Sequence, residues 1–220
     1  MNANVVYIPF SPQDNRQIIP HLVECYREVF AEEPWNEWKK CSVCGAKWGL
    51  GEKDLLRSIN YEHCGETVFD FWPTKTVEED IAHEITSDAS CWLALSNTKV
   101  IGFSWGYPIA PQDLEKKLQL LGVANRLHRM FDNIERVAYQ DEIGVLKEFR
   151  GQKIGKSLNI RRVNDFINQG LKAIVCRTKT NPPTVTYLWY TQKLGYDVIA
   201  EYNDLDKRVI LARSLLDFEF

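Results

Sequence analysis

Residues 145–158, VLKEFRGQKIGKSL, turn the chain from a β-rich run into a helix within one corner, and that corner limits the folds open to it. The first amides of a helix have no intrahelical acceptor, and the helix dipole adds partial positive charge at the same place. Arg150, Lys153 and Lys156 add more, so the corner suits an anion. A nucleotide-triphosphate loop is the nearest decoy. That loop needs four residues between its glycines, G-x-x-x-x-G-K-[ST], whereas Gly151 and Gly155 enclose three and Arg150 takes the place of the first glycine.

The sequence around the corner predicts alternating strands and helices. ERVAYQDEIGVL is a strand leading in, and IGKSLNIRRVNDFINQG is a helix closed by Gly170. KAIVCRT, TVTYLWYTQKL and DVIAEYNDLDKRVILARSL then read as a strand, a helix stopped by Gly195 and a closing strand pair. Upstream, NVVYIPF is a short strand before a helix with Ile19, Leu22, Val23, Tyr26, Val29 and Phe30 on one stripe. SCWLALS and KVIGFSWGYPI form a hairpin turning at Asn97. DLEKKLQLLGVANRLHRMF is helical with Leu114, Leu118, Leu121, Leu127 and Phe131 buried, and Gly122 is a point where it can break in two. This order favours one α/β domain over residues 1–220 with a mixed sheet.

Several motifs in this order resemble the GNAT superfamily of acyl-CoA-dependent N-acetyltransferases. Its pyrophosphate motif, [Q/R]-x-x-G-x-[G/A], falls on Arg150, Lys153 and Gly155, with Lys153 in place of the middle glycine and Val145 ending the strand before it. Asn181 follows the next strand, and Tyr190 precedes the Gly195–Tyr196 pair. The resemblance covers roughly residues 90 to 215 and implies a mostly antiparallel, splayed sheet flanked by helices. It also implies acetyl-CoA in the gap beside Ile143, Gly144 and Val145, with its diphosphate on Arg150, Gly151, Gln152, Lys153, Ile154, Gly155, Lys156 and Ser157, and with Asn181 and Tyr187 nearby.

Amide formation from a thioester needs a deprotonated amine and a proton for the departing thiolate. The family-like base is Glu142, with Asp141 as its rival on the opposite face of a regular strand. Tyr190 is the expected acid and Tyr187 its competitor.

Between the first helix and VEEDIAHEIT lies a stretch rich in Gly, Trp and Cys that sustains no period and reads as an insertion at 33–76. Its CSVCG places Cys41 and Cys44 at knuckle spacing for a structural zinc, with His63 and Cys64 available to complete the set. His83 and His21 are alternative fourth ligands. Trp35, Trp38, Trp48 and Trp72 are expected to give the insertion a small core, and a second reading has some of them line the acceptor site.

The formal charge of -3, from 27 basic and 30 acidic residues with no long basic run, leaves no footprint for nucleic-acid binding. No stretch has the apolar length of a membrane span. The opening MNANVVYIPFSPQDNRQ lacks a secretion signal, so a cytoplasmic setting with reduced cysteines is expected; Cys25, Cys91 and Cys176 go to the core. The expected reaction is acetyl transfer to a primary amine on a small molecule or a protein. The alternatives are an inactive acyl-CoA-binding module and a zinc-dependent interaction protein. The oligomeric state is not legible.

Overall fold

The computed structural model describes residues 4–216 and 218. The chain runs through β1 (Val5–Pro9), α1 (Ile19–Ala31), β2 (Lys39–Lys40), β3 (Lys47–Trp48), α2 (Lys53–Ser58), β4 (Glu62–His63), β5 (Glu66–Thr67), β6 (Phe69–Asp70) and α3 (Thr74–Glu84). It continues with β7 (Ser90–Ser96), β8 (Lys99–Ile109), α4 (Pro111–Leu118), α5 (Val123–Met130), β9 (Val137–Val145), α6 (Ile154–Asn168), β10 (Ala173–Lys179), α7 (Val185–Lys193), β11 (Asp197–Glu201) and β12 (Arg208–Ser214).

Seven strands form the main sheet in the order β1-β7-β8-β9-β10-β12-β11. Every neighbouring pair is antiparallel except β9 and β10. Side-chain alternation sorts the helices onto two faces. Val137, Tyr139, Ala173, Val175, Ile210 and Ala212 pack with α4 and α5, while Ala138, Ile174, Cys176, Val209 and Leu211 pack with α6 and α7. In β8, Phe103 and Trp105 stack on Tyr26 of α1, with centroids 5.6 and 5.7 Å apart. Helix α1 therefore shares the α4 and α5 side. Among the described residues, no helix is long and apolar enough to cross a membrane.

Parallel pairing of β9 with β10 is confined to Ala138–Gln140 against Ile174–Cys176. Beyond it, β9 stays with β8 as far as Val145 opposite Gly102, while β10 stays with β12 as far as Lys179 opposite Arg208. The two halves of the sheet part there and leave a gap.

Between α1 and α3 the chain folds into a three-stranded sheet, β3-β2-β6, a separate β4-β5 hairpin and α2. Cys41, Trp48, Leu56 and Val68 make its buried cluster, with Trp38 against it. Trp35 and Trp72 depart from the expectation and pack on the main core beside α1. Leu121 is also corrected: it is 90% exposed. Gln119 at φ 52 caps α4 and Gly122 at φ 90 starts α5, so the period is reset between the two helices. Cys25, Cys91 and Cys176 are buried.

Candidate functional site

A bulge in β9 sets the orientation of the acidic residues. Trp105 pairs with Glu142 but its neighbour Gly106 pairs with Gln140, which leaves Asp141 as an extra residue. Regular alternation fails at this point. Asp141 therefore shares a side with Glu142 instead of opposing it, as the contacts of each with the α1 and α4 face show. The Tyr26 hydroxyl donates to Glu142 Oε1 at 3.3 Å, and the Tyr107 hydroxyl donates to Asp141 Oδ2 at 2.8 Å. Lys117 of α4 pairs with Asp141 at 3.1 Å and with Glu84 at 2.8 Å, and Trp105 Nε1 donates to Glu84 Oε2 at 2.9 Å.

Burial raises the Glu142 carboxyl well above the usual carboxylate range, and the charges of Asp141 and Glu84 raise it further. Glu84 rises to about 7, again first by burial and then by Asp141. A carboxyl raised in this way holds its own proton more tightly, and once ionised it accepts a proton more readily than an exposed carboxylate does.

The bulge is held from the α6 side by Arg162, a fully buried residue that sequence reasoning missed. Its NH1 donates to the carbonyl oxygens of Trp105 at 2.8 Å and Glu142 at 2.7 Å. Its NH2 donates to Gln140 Oε1 at 2.6 Å and Asn159 Oδ1 at 2.9 Å. One signal was available: Leu158, Arg162 and Phe166 stand four apart on the inward stripe of the helix, where an arginine needs fixed partners.

At the anion corner, a 3₁₀ turn over Lys147–Phe149 leads into Arg150, then Gly151 at φ 78 and Lys153 at φ 63, where α6 begins. The Ser157 amide is bonded to the Lys153 carbonyl at 3.0 Å, so the amides of Ile154, Gly155 and Lys156 precede the first bond of the ladder. Lys153 thus adopts the left-handed backbone that the glycine of the motif would take freely. A Cβ on Gly155 would meet Val145 Cγ2 at 3.8 Å, ordinary contact, in line with the Gly-or-Ala choice there. The Arg150 side chain is engaged by main-chain carbonyls: Nε donates to the Val145 carbonyl at 3.0 Å and NH1 to the Glu33 carbonyl at 3.2 Å.

The structure places the two tyrosines of α7 differently. Tyr190 is 1% exposed and its hydroxyl donates to Asn159 Oδ1 at 2.8 Å inside the Arg162 network. The residue expected as the acid thus has its hydroxyl engaged in a buried network, with Asn159 as acceptor and its ring facing the core. Tyr187 is half-buried. The Asn181 side-chain amide donates to the Leu205 carbonyl at 3.1 Å, in the β11–β12 connection.

The chain leaving α1 crosses from one lip of the sheet gap to the other. Beyond the Arg150 contact to Glu33, the Lys179 ammonium donates to the Pro34 carbonyl at 2.7 Å and lies 5.2 Å from the Trp35 ring centroid. The Lys179 side chain is 4% exposed. Glu37 next accepts from Trp72 Nε1 at 3.0 Å, and burial raises its carboxyl. A pocket of about 350 Å³ lies along α1, with Val23, Arg27, Glu37, Trp38 and Trp72 in its lining.

Cys41, Cys44, His63 and Cys64 come together, with one ligand atom from each and all four within 4.8 Å of one another. His63 Nδ1 stands 3.6 Å from Cys44 Sγ and 3.3 Å from Cys64 Sγ. Consecutive ligands fit here because Cys64 and Gly65 both take positive φ, 53 and 79, in the two-residue turn joining β4 to β5. Backbone amides at Cys44 and Val43 face the Cys41 sulfur and, with His63, lower its thiol to about 6. Three thiols and one imidazole are the donor set of a closed zinc site. His83 and His21 lie outside the cluster.

Comparison with known proteins gives the class. Residues 56–196 match the acetyltransferase (GNAT) family model. The chain belongs to this family of acetyltransferase enzymes. Its fold is shared with a mosquito arylalkylamine N-acetyltransferase-like protein, 5b, at 16% identity and a TM-score of 0.59, covering 96% of this chain and 100% of the other. It is shared too with the PaiA N-acetyltransferase of Thermoplasma acidophilum, solved with coenzyme A, at 14% identity and TM-score 0.54, over 96% and 99% of the chains. An aminoglycoside 6'-acetyltransferase type Ii is similar at 12% identity and TM-score 0.54, over 97% and 99%. No curated protein sequence matches the chain.

Proposed function

We propose that this chain moves an acetyl group from acetyl-CoA to a primary amine on a small molecule or a protein. One observation carries the reading: the gap where β9 leaves β10 opens directly onto the corner at Arg150–Ser157, so a linear thioester and its diphosphate have adjoining places. The diphosphate is given to the amides of Gly151–Ser157, and the pantetheine arm to the main chain of Ile143, Gly144 and Val145.

Glu142 takes the amine proton, directly or through water. The amine nitrogen then bonds to the thioester carbonyl carbon; as the carbon–sulfur bond breaks, the nitrogen releases its second surplus proton to solvent and the sulfur receives one, which leaves a neutral amide and a free thiol. Tyr187 is assigned that donation, since Tyr190 is committed elsewhere. The reading treats residues 1–220 as one domain, with 33–76 inserted in it, in a cytoplasmic setting. It gives the Cys-rich segment a structural zinc that takes no part in the chemistry.

Thiol release from acetyl-CoA, measured against a panel of amines, tests the proposal. Amine-dependent release that falls sharply in Glu142→Gln is expected. Acetyl-CoA binding with no amine-dependent release would instead select an acyl-CoA-binding module without turnover.

A further inference from the structure

The segment between α1 and α3 is too small to hold itself. Its strands β2, β3, β4, β5 and β6 have two residues each, and its buried cluster rests on Cys41, Trp48, Leu56 and Val68. Hairpins of this length with so little apolar surface are marginal in water. A cross-link supplies what such a core lacks. The four donor atoms lie within 4.8 Å of one another, close to the spacing of about 3.8 Å between sulfurs around a tetrahedral Zn2+.

The same segment begins with the crossing over the sheet gap. From the Pro34 carbonyl on Lys179, the chain passes Glu37, whose amide is bonded to the Phe30 carbonyl at 2.8 Å. It then reaches Trp38, bonded through its backbone to both Trp48 and Phe71, and enters β2 immediately before Cys41. Asp70 of β6 ties this sheet back to α1 through Arg27 at 2.8 Å, and it accepts from Lys39 of β2 at 2.7 Å. Displacement of β2 therefore moves the run that sits on Lys179 and Arg150.

We infer that Cys41, Cys44, His63 and Cys64 bind one Zn2+ that pins the 33–41 run as a strap across the mouth of the transfer gap. The metal is structural: with four protein ligands it keeps no open position for substrate. Its occupancy is linked to acetyl-CoA binding, a consequence that rests on the reading of the gap given above. Linkage is reciprocal, so acetyl-CoA also slows loss of the metal.

The full chain is purified, its zinc is quantified, and hydrogen exchange and acetyl-CoA affinity are measured before and after chelation. One zinc per chain is expected. Cobalt in its place is expected to show the thiolate charge-transfer and intense ligand-field bands of a tetrahedral sulfur-rich site. Chelation is expected to speed exchange across 33–48 and 62–70 while β7–β10 stay protected, and to weaken acetyl-CoA roughly ten-fold. Cys44→Ser is expected to lose the metal with the same exchange pattern. Lys179→Met is expected to keep the zinc while exchange at 33–37 rises, which separates the strap from the metal. Fewer than about 0.2 metal ions per chain after zinc is added back overturns the site. Unchanged exchange at 33–37 after chelation overturns the strap. If the zinc-loaded chain shows these exchange changes yet binds no acetyl-CoA, the pinned strap is upheld and the transferase reading of the gap falls.

Discussion

The Arg162 guanidinium grips the main-chain oxygen of Glu142 at 2.7 Å, reaching it from the face of the sheet opposite Tyr26. A charge buried on one side thus fixes the backbone whose carboxylate lies on the other. The same guanidinium nitrogen reaches the Trp105 carbonyl, so both strands of the bulge share one clamp.

Arg162→Met is expected to leave those carbonyls unpaired and to lower stability by about 3 kcal/mol. Arg162→Lys, which lacks the fork, is expected to recover part of the stability but little of the turnover. Urea unfolding and the ratio of kcat to acetyl-CoA affinity separate the two effects; a Lys variant with normal turnover would remove Arg162 from positioning Glu142.

Glu142→Gln is expected to lower kcat by about 100-fold with little change in acetyl-CoA affinity. Because burial and the neighbouring acids raise this carboxyl, the wild-type rate is expected to climb with pH from neutrality upward. The ascending limb should vanish in the variant, as measured by pH-rate profiles at saturating substrate.

Glu84 gives a stability effect of defined sign. Its carboxyl rises to about 7 in the folded chain, so the native state holds its proton more tightly than the unfolded chain does. The contribution is full below the unfolded value and is lost as pH rises through 7. Glu84→Gln is expected to flatten the decline in stability between about pH 5 and 8, read from denaturation midpoints across that window.

Lys153 spends backbone energy at φ 63. Lys153→Gly is expected to raise stability by about 1 kcal/mol, and Lys153→Ala to give no such gain. Melting temperatures of both variants check this.

Gly106 and Gly144 are expected to fail differently as alanine. At Gly106 a Cβ would stand 2.2 Å from the Tyr139 carbonyl oxygen, so the bulge itself must shift. At Gly144 it meets Phe103 and Val29 side chains at 2.6 and 2.7 Å, which can move at a cost of about 1–3 kcal/mol. Soluble yield and urea midpoints are expected to rank Gly106→Ala below Gly144→Ala.

Most of the architecture was legible because local signals agreed. The hairpin at Asn97, which takes φ 55, and the Gly170 stop after α6 follow from residue chemistry alone. Leu121 misled because its spacing continues the stripe of α4, and nothing in its own identity marks the left-handed Gln119 that resets the period. The bulge was illegible because it is a property of pairing with Trp105 and Gly106, not of the β9 sequence. Tyr190 has the right residue type near the right glycine, yet helix phase decides which ring faces the core, and a shift of a few residues exchanges it with Tyr187. The cysteine spacing named the cluster, while the turn that lets His63 and Cys64 point together needed the backbone.

The strap meets Arg150 and Lys179 through the carbonyls of Glu33 and Pro34, so its latch is written in the peptide path and not in side chains. No replacement of either side chain deletes an acceptor. To unfasten this end of the strap directly, a variant must change one of the two cations or reroute the main chain between them, whereas loss of the metal frees it from the other end.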